Sequence, residues 1–140
     1  MSEMSRHVLD IIQAGVSRAT RLRHPSLCVE HILCAIADDE AGKEILTASG
    51  ANPAVMRRVL EDHMAATIKP LKTAEPPVTQ VAAVDRVISR ASFSVKTEGR
   101  EHVEVGDILM AIYEDGTTWA SRCMRDHGVT RGRLRESLAV

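Results

Sequence analysis

Apolar residues recur along this chain at the spacing of one helical face. Val8, Ile11, Ile12, Gly15, Val16, Ala19 and Leu22 keep the 3, 4, 7, 8 spacing of one face, which predicts a helix from near Ser5 to near Arg23. Pro25 ends it, because proline disfavours helical geometry in the residue before it. A second helix is expected from Val29, with Ile32, Leu33, Ala35 and Ile36 inward, fraying into Asp38-Asp39-Glu40. A short third covers about Lys43 to Ala48 and stops at Gly50. Asn52-Pro53 then signals a fourth, since Asn can cap free amides while proline occupies the first helical position, where no donor is missed. It runs to about Thr67. Val84, Val87, Ile88, Ala91 and Val95 line a fifth helix ending at Glu98-Gly99, Val105 to Tyr113 give a sixth, Trp119 to Asp126 a seventh, and Thr130 caps an eighth that carries Leu134 and Leu138. No segment alternates with period two long enough to predict a strand, although Glu101 to Val105 comes closest.

The second four helices retrace the first four. His31-Ile-Leu-Cys-Ala-Ile36 recurs 76 residues on as Asp107-Ile-Leu-Met-Ala-Ile112, and Ile12, Gly15, Ala19 and Val29 fall on Ile88, Ala91, Val95 and Val105 at the same offset. Past that stripe the offset grows to 78, so that Gly50 meets Gly128, Met56 meets Leu134 and Leu60 meets Leu138. Two extra residues near Gly116 to Trp119 account for the change. What repeats is apolar positions and turn glycines, a duplication of packing more than of chemistry. The fold class that follows is all-α: eight helices as a tandem repeat of two four-helix units related by a pseudo-twofold axis. Residues 1–140 form a single domain, with repeat one at about 5–68, a Pro-rich linker at about 69–79 and repeat two at about 80–140. Each unit of roughly 60 residues is too small to be more than marginally stable alone, so the two are expected to pack together.

Composition narrows the function. The chain has 140 residues, 44% of them hydrophobic and only 2% aromatic, so the core must be aliphatic. With a net charge of -1 and the two signs interspersed, no basic field is present to gather a phosphate backbone, and no nucleic acid partner is expected. No run approaches the roughly 18 apolar residues of a membrane span, and the N-terminus lacks a signal-peptide core, so the expectation is a cytoplasmic protein without membrane contact. Cys28, Cys34 and Cys123 are odd in number and form no Cys-x-x-Cys pair, which argues for reduced packing thiols.

Catalytic signatures are missing. Gly42-Lys43-Glu44 lacks both the upstream glycine and the hydroxyl residue of a phosphate-binding loop, and no Gly-x-Ser-x-Gly elbow occurs, so no catalytic residues are assigned and the chain is not expected to be an enzyme. His24, Cys28 and His31 have spacings compatible with one metal ion. Only three ligands are local, however, and repeat two offers Arg100, Glu104 and Asp107 in the same places, so no metal is expected. Glu30 lies in the first turn of the second helix, where the macrodipole favours a carboxylate by roughly 0.3 to 1 kcal/mol. The same carboxylate could also meet a cationic partner.

Arg23-His-Pro-Ser-Leu-Cys-Val-Glu-His-Ile-Leu33, the Ser-Gly-Ala-Asn turn, Arg86-Val-Ile-Ser-Arg-Ala91 and His127-Gly-Val-Thr-Arg131 together resemble the N-terminal domain of the Clp/Hsp100 AAA+ unfoldases, most closely its ClpA branch. The resemblance spans Val8 to Leu138. It implies a non-catalytic docking domain tethered above an ATPase ring that feeds protein substrates to the ClpP peptidase, and in the ClpA branch a site for a ClpS-type adaptor. The domain itself would need no cofactor, while the parent's ATPase modules would use ATP and Mg. Carried over by position, the adaptor-facing residues are Glu30, Arg86 and His24. This chain departs from the family pattern at Cys28, where a capping Thr is usual, and at Gln80 to Val84, which lacks the branch's hydroxyl and aromatic side chains. Glu30 has no acidic counterpart in repeat two, where Gly106 stands. The other Hsp100 branches suggest an alternative, direct binding of unfolded or peptide segments in a groove between the repeats.

Overall fold

A computed structural model of the chain describes residues 3–77 and 79–138. Eight helices appear in it: α1 (Arg6–Arg21), α2 (Val29–Asp38), α3 (Glu40–Ala48), α4 (Pro53–Thr67), α5 (Ala82–Thr97), α6 (Val105–Asp115), α7 (Trp119–Asp126) and α8 (Arg131–Leu138). The start signals act as anticipated. Asn52 accepts from the Val55 amide at 3.2 Å and Thr130 from the Arg133 amide at 3.2 Å. α3 begins three residues earlier than its apolar pattern implied, because Asp39 accepts from the Gly42 amide at 3.0 Å and so caps a helix where the acidic run had suggested fraying.

Helices α2 and α6, the two copies of the repeated stripe, are the centre. Eight of the ten residues of α2 are buried, and Ile32, Leu33 and Ile36 join Leu109, Ile112, Leu46, Met56, Leu60, Met64, Met124 and Leu134 in one continuous core. α1 packs on α2 and α5 on α6, while α3 meets α8 and α4 meets α7 across the two repeats. Gly15 faces the backbone of His31, where an added Cβ would sit 3.5 Å from the carbonyl oxygen. The close approach made by the small residue on α1 is therefore to the next helix of its own repeat.

Four two-residue strands were not anticipated: β1 (Glu3–Met4), β2 (Ser26–Leu27), β3 (Thr79–Gln80) and β4 (His102–Val103). By the repeat offset β1 corresponds to β3 and β2 to β4. They pair crosswise and parallel, Glu3 and Met4 with His102 and Val103, and Ser26 and Leu27 with Thr79 and Gln80. Two more backbone bonds obey the same symmetry, Ser5 N–H to Val103 O and Val81 N–H to Leu27 O, each 3.0 Å. Each repeat thus opens by hydrogen-bonding the other. Among the described residues no helix is long and apolar enough to cross a membrane.

Candidate docking site

Each first helix ends in the same motif. Arg23 takes a left-handed conformation (φ 60°), which lets the His24 amide reach back to Ala19 O at 2.9 Å and the Arg23 amide to Thr20 O at 3.0 Å. Gly99 (φ 73°) does the same in repeat two, with Arg100 N–H to Val95 O at 3.0 Å. The residue after the turn is thereby aimed at the start of the next helix.

In repeat one that residue is His24, which is 4% exposed, and its Nδ1 lies 2.7 Å from His31 Nε2. His31 Nδ1 accepts from the Cys28 amide at 2.9 Å. An amide N–H can only donate, so His31 Nδ1 carries no proton, its Nε2 donates, and His24 Nδ1 accepts. Both rings are neutral in this arrangement. Burial, then the neighbouring His24 and Arg18, push His31 down to about 4, and burial lowers His24 as well. With both of its ring nitrogens committed, His31 has none left for a metal, and burial holds the Cys28 thiol up at about 11. No group of three metal-type ligands occurs among the described residues.

Repeat two builds the same latch from ions. Asp107 accepts from the Glu104 amide at 2.8 Å and takes both arms of Arg100, at 2.6 and 3.0 Å. That hydrogen bond to Asp107 is the main reason the Arg100 guanidinium is held firmly protonated.

Glu30 and Arg86 reach one and the same segment, the α6–α7 turn that carries the two inserted residues. The Glu30 carboxylate accepts from the Ala120 amide at 2.9 Å, adding to the Thr118 cap at the start of α7. Arg86, 51% exposed, pairs through Nε with Asp115 at 3.2 Å and donates through Nη2 to Thr117 Oγ1 at 3.0 Å. Burial would raise the Asp115 carboxyl, but the hydrogen bonds from Thr117 and Arg86 outweigh it and the net shift is downward. Beside this turn Trp119 stacks on His63 of α4, with ring centroids 3.9 Å apart and planes 8° from parallel.

The model of the Clp repeat (R) N-terminal domain family matches residues 3–127. The chain belongs to that family. A curated relative, the ClpA homolog protein of Fuscovulum blasticum, is 27% identical over 122 residues, covering 86% of this chain and 15% of its own length. The chain thus spans under a sixth of that relative. Among solved structures, the Hsp104 N-terminal domain from Candida albicans superposes with a TM-score of 0.80 at 15% identity, over 96% of this chain and 88% of that one. A ClpV N-domain in complex with VipB peptide gives 0.75 at 15%, over 99% and 86%. At such identity the likeness is one of fold.

Of the three residues carried over onto this Clp N-domain, Arg86 is the one whose side chain is largely open to solvent. Glu30 is partly buried against the α7 start, and His24 is inside. The His63–Trp119 stack was not foreseen. It joins residues of different repeats, and no periodicity within one helix encodes such a contact.

Proposed function

We propose that this Clp N-domain is a docking module of a ClpA-like unfoldase, and that it receives a ClpS-type adaptor on the face formed by Arg86 and the Asp115–Trp119 turn. The observation that carries the reading is the convergence of Arg86 from α5 and Glu30 from α2 on the turn with the two inserted residues. That is where the second repeat differs most from the first. Arg86 already holds a carboxylate and keeps its outer edge exposed, so it can donate further charge-assisted hydrogen bonds to a partner. In this reading Glu30 sets the turn's position and His24 acts only through His31. Protein substrates reach the parent's ring by way of the docked adaptor and pass on to a ClpP-type peptidase.

Calorimetry of the chain with a ClpS-type adaptor tests this. Arg86→Ala should weaken binding by about 1 to 3 kcal/mol, the range for a charged interfacial hydrogen bond, and because it also strips the buried Asp115 carboxylate of its ion-pair partner, binding is measured at a temperature where circular dichroism shows the variant folded. A folded domain with no measurable affinity for the adaptor would end the proposal.

A second reading has its own support. A groove of about 600 Å³ runs between the repeats, floored by Ala41, Ile45, Val105, Gly106 and Leu138. Such a groove suits an unfolded or peptide segment, bound directly.

A further inference from the structure

We propose that a second groove, enclosed by α5, α6 and α8 of repeat two, binds an acidic peptide segment that carries an apolar residue beside its carboxylates. The groove measures about 490 Å³, and Arg90, Ser94, Met110, Glu114, Arg131 and Arg135 surround it. Repeat one provides the comparison. There the centre of the corresponding place is filled by a ring of alternating charge, in which Arg18 binds Asp38 and Glu61 and Arg57 binds the same two acids at 3.2 and 3.3 Å, and only a smaller hollow of about 310 Å³ remains beside Ala14, Arg18, Ala35 and Asp38. Arg18, at the centre, is only 12% exposed.

At the repeat offset Arg18 becomes Ser94, which empties the centre, and Arg57 becomes Arg135. The acids left in the groove are already engaged. Glu114 holds Arg131 at 2.6 Å, while Asp107 and Glu98 hold Arg100 at 2.6 and 3.2 Å. Arg90 and Arg135 have no ion pair among the described residues, and both are exposed. Two uncommitted guanidiniums facing one cavity match carboxylates in shape as well as sign. Phe93, the chain's single phenylalanine, directly precedes the lining residue Ser94 on α5 but lies outside the groove's lining, with 73% of its surface in solvent, where repeat one has Ser17. An aromatic ring left this open on an otherwise polar helix face supplies the apolar contact. The net charge of -1 and the small number of free arginines favour a peptide over a nucleic acid strand. The site does not involve Arg86 or an adaptor, and although it borders the inter-repeat groove at Glu98, Arg100, Asp107 and Leu138, Arg90 and Arg135 line this groove alone, so variants at those two positions separate it from both readings above.

The test is fluorescence anisotropy with a fluorescein-labelled peptide of repeating Glu-Leu-Asp, titrated with the whole chain. Saturable binding that weakens as salt is raised is expected. Arg90→Glu and Arg135→Glu should each weaken it about tenfold or more, as for loss of a charge-assisted hydrogen bond. Phe93→Ser should weaken it too, and Ser94→Leu, which fills the groove without changing charge, should act alike. Arg58→Glu, a matched charge change on the exposed side of α4, should leave it within about twofold of wild type. Circular dichroism melts confirm that each variant is folded. The proposal is overturned by absence of saturable binding, by an equal loss in Arg58→Glu, by an unaffected Ser94→Leu, by equal affinity for the peptide with Gln and Asn in place of its acids, or by tighter binding of oligodeoxythymidine.

Discussion

Acid should loosen repeat one through the His24–His31 latch, and the size of the effect follows from the geometry. His31 is fully buried, accepts from the Cys28 amide and donates to His24. A second proton on it would confront an N–H donor. Its folded pKa of about 4 lies below the roughly 6.5 of an unfolded histidine. The unfolded chain therefore takes up this proton first as pH falls, and the latch's contribution is complete above about pH 6.5 and is lost progressively toward pH 4. At pH 5 the difference amounts to about 2 kcal/mol for His31 alone. The lowered pKa of His24 adds in the same direction. With a urea slope of about 2 kcal/mol/M, the unfolding midpoint should fall by about 1 M between pH 7.5 and 5. His31→Asn keeps an acceptor for the Cys28 amide, as Asp107 does for Glu104, without a group that titrates in this range. The double replacement His24→Arg/His31→Asp copies the repeat-two latch outright. Both should flatten the pH slope whatever they do to absolute stability. The reasoning fails if wild type and the two variants lose the same stability between pH 7.5 and 5.

Glu30→Ala should lower stability by about 1.5 to 3 kcal/mol, because a charged acceptor leaves the α7 start, and Trp119 fluorescence should shift in the native state; unchanged melting and emission would show the bond to be dispensable. Arg23→Gly should raise stability by about 1 kcal/mol, since a left-handed residue costs that much when it carries a Cβ, and a lower melting temperature would refute the strain. Cys28 and Cys123, with thiols pushed up to about 11, and Cys34, to about 12, should resist iodoacetamide at pH 8 in the folded protein and react fully in urea. Rapid labelling of Cys34 or Cys123 in the native chain would contradict their burial, while half-buried Cys28 rests on its raised thiol alone.

The helices were readable because most bury one stripe, while α2, buried nearly all round, is a continuous apolar run. Residues 119 to 126 were delimited correctly from their pattern, as was the start at Pro53. What escaped were the contacts between the repeats. Strands of two residues cannot display a period, and the partner of Met4 is Val103, about a hundred positions away. The sequence pattern brought His24, Cys28 and His31 together as possible ligands, and they do meet, but as donors and acceptors to one another. Setting His31 against Asp107 would have exposed the latch, since the two residues do one task with opposite chemistry. Glu30 was weighed between the macrodipole of its own helix and a cationic partner, and its carboxylate meets a backbone amide at the start of a helix in the other repeat.

The crosswise strands have a consequence for how such a domain can be taken apart. Because β1 pairs with β4 and β2 with β3, backbone bonds that set the two halves side by side lie at their own edges, and the Pro-rich connection, tied to repeat one where the Leu71 amide donates to Arg23 O at 2.7 Å, acts mainly by raising their effective concentration. A nick in that connection would leave two fragments able to find each other again. A single four-helix half, made as a free polypeptide, would carry both edges of the exchange and could satisfy them with a second copy of itself.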